Sequence, residues 1–81
     1  MNNINRKEII QFVLDHAITS DGKLEISVSL MTTLEDMAVR YGDQQKRFDD
    51  VNHWFRKLEK KDFDGSRADR EWLNNWLSEL P

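Results

Sequence analysis

The side chains of this chain that could do chemistry are few and widely spaced. His16 and His53 are its only histidines, and Asp49 lies one helical turn before His53. A metal site built from imidazole and carboxylate groups needs several converging ligands, and there is no cysteine to complete one. An i, i+4 charge pair on a helix surface explains Asp49 and His53 without any ligand. The sequence therefore predicts no metal site.

The segment from Thr19 to Leu24 is similar to a calcium-binding loop but fails at the ligand positions. Placing Gly22 at the invariant glycine of such a loop puts Ala17 first and Val28 last, and neither side chain carries an oxygen. The chain also lacks a paired nucleophile and base, a phosphate-binding glycine loop and a nucleotide-binding fingerprint. We therefore expect a non-enzymatic protein without a cofactor.

Length and composition narrow the class of protein further. A chain of 81 residues is expected to form one domain, residues 1–81, with too little material for a deep catalytic cleft. No apolar run approaches the roughly 18–20 residues of a membrane span, and the polar start Met1-Asn2-Asn3 is unlike a signal peptide. The absence of cysteine fits a reducing compartment. We expect a soluble, cytoplasmic protein that does not insert into a membrane.

The apolar residues recur with helical periodicity and predict an all-α fold of about four helices. The first helix is expected from about Arg6 to Ile18, after a capping box formed by Asn5 and Glu8. Its buried side is predicted to contain Ile9, Ile10, Val13, Leu14, Ala17 and Ile18. Phe12 and His16 form an i, i+4 pair at the edge of that side and are a candidate contact surface, with core packing of Phe12 as the alternative.

The segment Lys23–Leu30 is consistent with either a strand or a helix. Its alternating apolar residues indicate a strand, but an isolated strand would need a partner from another protein or from a second copy in a homodimer. The favoured interpretation is an extended Lys23–Ile26 segment followed by a helix that ends at Tyr41. The N-cap of that helix is expected at Ser27, Ser29 or Thr32, and Thr32 with Glu35 has the spacing of a capping box.

Residues 34–51 predict two helices joined by a tight turn, in the outline of a helix-turn-helix. Gly42 is expected to end the first helix with positive φ, and the second is expected to run from after Asp43 to about Lys61. If this pair reads DNA, the residues that face the major groove are Gln44, Gln45, Lys46 and Arg47. Nearby aspartates, Asp43, Asp49 and Asp50, would oppose phosphate binding, so DNA binding is the alternative function.

The last two helices carry all three tryptophans, Trp54, Trp72 and Trp76. The fourth helix is expected to be capped by Ser66 with Asp69, and its apolar stripe reaches Leu80. Tryptophan is frequent both in small cores and at the energetic centres of interfaces. The spacing favours two buried tryptophans without indicating which one is exposed.

Charge is spread unevenly along the chain, and this favours protein binding. The net charge is −3, yet residues 46–61 hold six Lys and Arg against three Asp and Glu. A basic segment next to an aromatic side chain suits an acidic or carboxyl-bearing partner. The residues predicted to bind a partner protein, besides Phe12 and His16, are Trp54, Arg56, Lys57, Lys60 and Lys61.

Two stretches of the chain resemble small proteins of T-even bacteriophages. These are the opening Met1-Asn2-Asn3-Ile4-Asn5 and the segment from Thr32 to Ala38, and the chain is most similar to the cytoplasmic antiholins among those proteins. The resemblance implies a lysis-inhibition protein that binds the cytoplasmic N-terminal segment of a holin and delays pore formation, together with a periplasmic antiholin. Such inhibition needs only a difference in affinity between two states of the holin. The resemblance assigns no functional residues.

Overall fold

Four α-helices make up the fold, as seen in a computed structural model that describes residues 4–44 and 46–81. They are α1 Arg6–Ala17, α2 Val28–Gln44, α3 Phe48–Lys60 and α4 Arg67–Ser78. The side chain of Gln44 also lies outside the described part. The described residues contain no strand, so the all-α prediction is confirmed. Helix α2 packs extensively against α3 and also against α1.

Helix α1 begins with the predicted capping box. The Asn5 side chain accepts a hydrogen bond from the Glu8 backbone N–H at 2.9 Å, and the Glu8 carboxylate accepts one from the Asn5 N–H at 3.1 Å. These bonds satisfy two N–H groups that have no partner inside the helix. Ile9, Val13 and Ala17 are completely buried, which confirms the core-facing side.

The connection from α1 to α2 resolves the ambiguity of the segment Lys23–Leu30. Ile18 and Leu24 form a single antiparallel bridge, and Gly22 at φ 79° makes the reversal between them. The Glu25 N–H donates to the Ala17 carbonyl oxygen at 2.7 Å. The extended part therefore pairs with its own chain, and the helix begins at Val28 as the favoured interpretation requires.

Ser27 is the residue that caps α2. Its hydroxyl accepts a hydrogen bond from the Leu30 backbone N–H at 3.1 Å. The predicted capping box of Thr32 and Glu35 is wrong, because Thr32 lies inside α2 and its hydroxyl donates to the Val28 carbonyl oxygen at 3.0 Å. The helix also continues past Tyr41 to Gln44.

Gly42 has a different role from the predicted one. It is a buried residue within α2, and the left-handed residue of this connection is Lys46, with φ 56°. A Cβ at Gly42 would lie 3.0 Å from the Cα of Phe48, so glycine allows α2 and α3 to approach closely. As a further correction, α3 begins at Phe48 and not directly after Asp43.

The end of the described chain is held against the start of α1 and the end of α2. The Tyr41 hydroxyl donates a hydrogen bond to the Pro81 carbonyl oxygen, and the Arg6 guanidinium donates to the Leu80 carbonyl oxygen at 3.1 Å. The core beneath these contacts is continuous, and its largest completely buried side chains are Trp76, Tyr41, Ile9, Leu34, Leu73, Val13 and Val51.

Candidate protein-binding surface

Two of the three tryptophans form a buried pair that joins α3 to α4. The rings of Trp54 and Trp76 are stacked, with centroids 3.8 Å apart and planes 7° from parallel. Each indole N–H donates to the other residue's backbone carbonyl oxygen, at 2.5 Å from Trp54 and 2.7 Å from Trp76. Trp54 is only 2% exposed. The prediction that Trp54 contacts a partner is therefore wrong, because its ring is used in the core.

Trp72 is the tryptophan that reaches the surface. Its ring is half-buried, stacked on Trp76 at a centroid distance of 6.0 Å and in edge contact with Phe63 at 5.5 Å. The Lys61 ammonium lies 5.8 Å from the centroid of the Trp72 ring, within the range of a cation–π interaction. Trp72 is thus a partly buried ring that stacks on the buried pair.

Three predicted basic residues surround Trp72 in a shallow groove. We call this surface the Trp72 groove; it is lined by Lys57, Lys60, Lys61, Trp72 and Glu79. The lysines occupy the last turn of α3 and the residue after it, where cations are also favoured by the helix dipole. The structure thus brings the basic segment next to an aromatic side chain, but that side chain is Trp72.

The three lysines differ in how far they are already neutralised. Lys57 forms an ion pair with Glu79 at 2.9 Å, and both side chains are partly exposed. The Lys61 ammonium lies 3.8 Å from the buried Asp69 carboxylate. Within residues 4–44 and 46–81, Lys60 has no carboxylate within ion-pair distance. The Trp72 groove therefore keeps an exposed positive charge for an incoming anionic group.

Arg56 points away from the Trp72 groove. It is exposed and lies with Lys60 on a surface that also contains Glu35, Asn52 and Glu59. Lys60 is thus the residue shared between this surface and the Trp72 groove. The predicted cluster of four basic residues divides into two surfaces because α3 turns about 100° per residue.

A buried carboxylate holds the loop between α3 and α4. Asp69 is 2% exposed, and one of its oxygens accepts hydrogen bonds from the backbone N–H groups of Asp64 and Gly65, both at 2.8 Å. In the same loop, the hydroxyl and the backbone N–H of Ser66 lower the pKa of the Asp64 carboxyl by hydrogen bonding. The Ser66 side chain makes no cap hydrogen bond, so the predicted Ser66 cap is wrong. Asp69 instead binds the N–H groups of the loop that precedes α4.

Phe12 and His16 are in contact with each other, as their spacing predicts. Their rings are stacked with centroids 4.5 Å apart, and Nδ1 of His16 lies 2.9 Å from the Phe12 carbonyl oxygen. Phe12 is half-buried against the core, and His16 is exposed. The two border a small groove with Ser27, Ser29, Leu30 and Thr33, separate from the basic residues.

The residues predicted to read DNA precede α3 and are not part of it. Gln44 is the last residue of α2, and Gln45 lies outside the described residues. Lys46 is exposed in the connection, whereas the Arg47 guanidinium donates to the Tyr41 hydroxyl at 2.7 Å and lies 5.2 Å from the Tyr41 ring centroid. Arg47 thus has a structural partner.

Sequence reasoning missed Glu79, which lines the Trp72 groove, and the contacts of Phe63 with Trp72 and of Asp69 with Lys61. A signal for Trp72 itself exists in the sequence, since it lies about 90° from the centre of the α4 apolar stripe on a helical wheel. No comparable signal exists for Glu79, whose contact with Lys57 joins residues 22 positions apart.

Comparison with known proteins identifies no relative. The chain matches no protein family, and no characterised protein or solved structure shows significant similarity to it. Within the described residues, no helix combines the length and the apolar character that a membrane crossing requires.

Proposed function

We propose that this protein is a non-enzymatic regulator that acts by binding another protein through the Trp72 groove. The observation that carries the proposal is the half-buried Trp72 ring beside the uncompensated Lys60 ammonium. Tryptophan anchors contribute much of the energy of protein interfaces. Nearby lysines attract a segment that carries carboxylates and orient it on the ring. The partner is therefore a protein with an exposed acidic segment.

In its most specific form, the proposal is that the protein is a cytoplasmic antiholin of a bacteriophage. The support is the resemblance of residues 1–5 and 32–38 to that family, together with a small helical fold. The partner is then the soluble N-terminal segment of a holin, and the protein acts in the host cytoplasm. Binding one assembly state of the holin more tightly than another delays pore formation by mass action.

The test is a titration of the purified protein with a synthetic peptide of the cytoplasmic holin segment, followed by fluorescence anisotropy. We expect Trp72→Ala and Lys60→Glu each to weaken binding by about tenfold or more, as for interface anchors. Lys7→Glu is the matched control, since Lys7 is an exposed lysine on α1. Equal binding by all four proteins would contradict the use of the Trp72 groove.

A parallel pull-down from infected cells separates protein binding from DNA binding. Half of each sample is treated with nuclease, and wild type is compared with Trp72→Ala. A nuclease-resistant partner lost in the variant supports the proposal. Recovery of specific DNA, with no such partner, would instead support the helix-turn-helix alternative.

A further inference from the structure

Glu79 lies in the Trp72 groove, where its carboxylate already occupies one of the lysines. It accepts a hydrogen bond from the Lys57 ammonium at 2.9 Å, and this contact joins the end of α4 to the last turn of α3. Both side chains line the groove. A ligand that fills the groove as far as Lys57 must therefore move the Glu79 side chain aside.

The surroundings of Glu79 hold its carboxylate only weakly. Within the described part of the chain, Lys57 is its one ion-pair partner, and the two side chains are 44% (Lys57) and 48% (Glu79) exposed. Ion pairs this exposed contribute little to stability, because water and salt screen them. Glu79 also follows the last turn of α4, where the helix dipole disfavours a negative charge. Arg6, a cation at the same helix end, donates instead to the backbone carbonyl oxygens of Ser78 and Leu80.

The spacing of the lysines defines the ligand that can replace Glu79. Lys57 and Lys60 are three residues apart on α3, which places their Cβ atoms about 5–6 Å apart on one side of the helix. A segment with one carboxylate neutralises Lys60 but leaves Lys57 unpaired once Glu79 has moved. A segment with two carboxylates about one helical turn apart neutralises both. Lys61 keeps its own partner, the buried Asp69.

We infer that the Glu79 carboxylate takes the place of a partner carboxylate in the free protein, and that the segment bound by the Trp72 groove carries two carboxylates about one helical turn apart. One of them replaces Glu79 at Lys57, and the other binds Lys60. The inference rests on the proposed function, since it concerns the same groove. It adds the spacing of the acidic groups in the partner and a contact within the protein that competes with them.

The probes are three fluorescein-labelled helical peptides of about 18 residues, long enough to form a helix. The first carries one leucine to contact Trp72 and, beside it, two glutamates four residues apart. Each of the other two peptides has one of these glutamates replaced by glutamine. In an anisotropy titration we expect wild type to bind the first peptide at least about threefold more tightly than either of the others.

The decisive variant is Glu79→Gln, which keeps the length of the side chain and removes its charge. We expect it to bind the first peptide about three- to fivefold more tightly than wild type, because no carboxylate has to leave Lys57. Glu71→Gln is the matched control, since it removes the same charge from an exposed position of α4 outside the groove, and it is expected to bind like wild type. In Lys57→Gln/Glu79→Gln the gain is expected to disappear. Circular dichroism confirms that each variant is folded.

Carbon-13 NMR of the Glu79 side-chain carboxyl follows the exchange directly. The Lys57→Gln variant gives the chemical shift of the released carboxylate. When isotope-labelled wild type is saturated with the unlabelled first peptide, we expect the Glu79 signal to move to that value. A signal that stays at its position in the free protein would show that Glu79 remains on Lys57, and would overturn the inference.

Failure of the inference and failure of the proposed function give different results. If binding requires Trp72 and Lys60, but Glu79→Gln binds no more tightly than Glu71→Gln, the inference is wrong and the proposed function stands. A gain that persists in Lys57→Gln/Glu79→Gln would overturn the inference as well, and so would equal affinity of wild type for the three peptides. If neither wild type nor Glu79→Gln binds any of the peptides, both proposals are wrong.

Discussion

Replacing Asp69 by Ala is expected to destabilise the protein strongly, although the residue is polar and near a loop. Its carboxylate is 2% exposed and accepts two backbone hydrogen bonds at 2.8 Å, from Asp64 and Gly65. It also lies in the first turn of α4, where the helix dipole stabilises a negative charge. The substitution removes all of these interactions and leaves Lys61 without its nearest carboxylate.

The expected magnitude is set by the two hydrogen bonds. Bonds to a charged group contribute about 1.5–3 kcal/mol each, but Asp64 and Gly65 are exposed and their N–H groups can be hydrated in the variant. We therefore expect a loss of about 2–3 kcal/mol in the free energy of unfolding. For a domain of this size, that loss lowers the Tm by about 10–20 °C. The expected loss of stability is a large part of the total free energy of unfolding, which is roughly 4–12 kcal/mol for a domain of this size.

The assay is urea denaturation followed by circular dichroism, with thermal unfolding as a second measurement. Asp62→Ala is the matched control, since Asp62 is an exposed carboxylate in the same loop, and it is expected to change stability by less than about 0.5 kcal/mol. Asp69→Asn keeps an acceptor oxygen without the charge and should fall between the two. If Asp69→Ala lost no more stability than Asp62→Ala, the stabilising role of this carboxylate would be refuted.

Three further predictions concern packing and pH. Gly42→Ala is expected to destabilise by about 1 kcal/mol in urea denaturation despite the higher helix propensity of alanine, because its Cβ would lie 3.0 Å from the Phe48 Cα; a gain in stability would show that α2 and α3 can separate without cost. Trp76→Phe is expected to cost about 2–3 kcal/mol by loss of ring volume and of the indole hydrogen bond, and Trp72→Phe less than about 1 kcal/mol; equal losses in the same assay would contradict the assignment of the buried pair. Because the pKa of Asp64 is lowered below 3.8, its contribution is complete above the unfolded pKa and is lost as the pH falls through the folded pKa. Asp64→Asn should therefore lose less stability than wild type between about pH 5 and pH 2, and an unchanged pH profile would speak against the Ser66 hydrogen bonds.

Features that depend on residues close in sequence were predictable. One example is the capping box of Asn5 and Glu8, and another is the buried side of α1. Both involve positions a few residues apart, so hydrophobic periodicity and the chemistry of capping residues suffice to predict them. The sequence does not show where a helix begins when two possible N-cap residues lie within a few positions of each other. Thr32 and Glu35 have a capping spacing, yet the Ser27 hydroxyl caps α2 earlier and leaves Thr32 inside the helix.

The residues around the partly buried Trp72 were not predictable, because they depend on how α3 and α4 meet. A helical wheel places Trp72 off the centre of the α4 apolar stripe, but only the packing shows that Trp54 and Trp76 exchange indole hydrogen bonds. The same packing leaves Trp72 at the edge, beside the lysines of α3.

The sequence by itself determined the helical class, the cap of α1 and the presence of a basic stretch near an aromatic residue, since these follow from local spacing. Tertiary structure alone decided which lysines lie beside Trp72, why Gly42 is glycine and which charges remain unpaired. The physical reason is that burial and ion pairing depend on groups distant in the chain, such as Lys57 and Glu79, whose meeting no local pattern encodes.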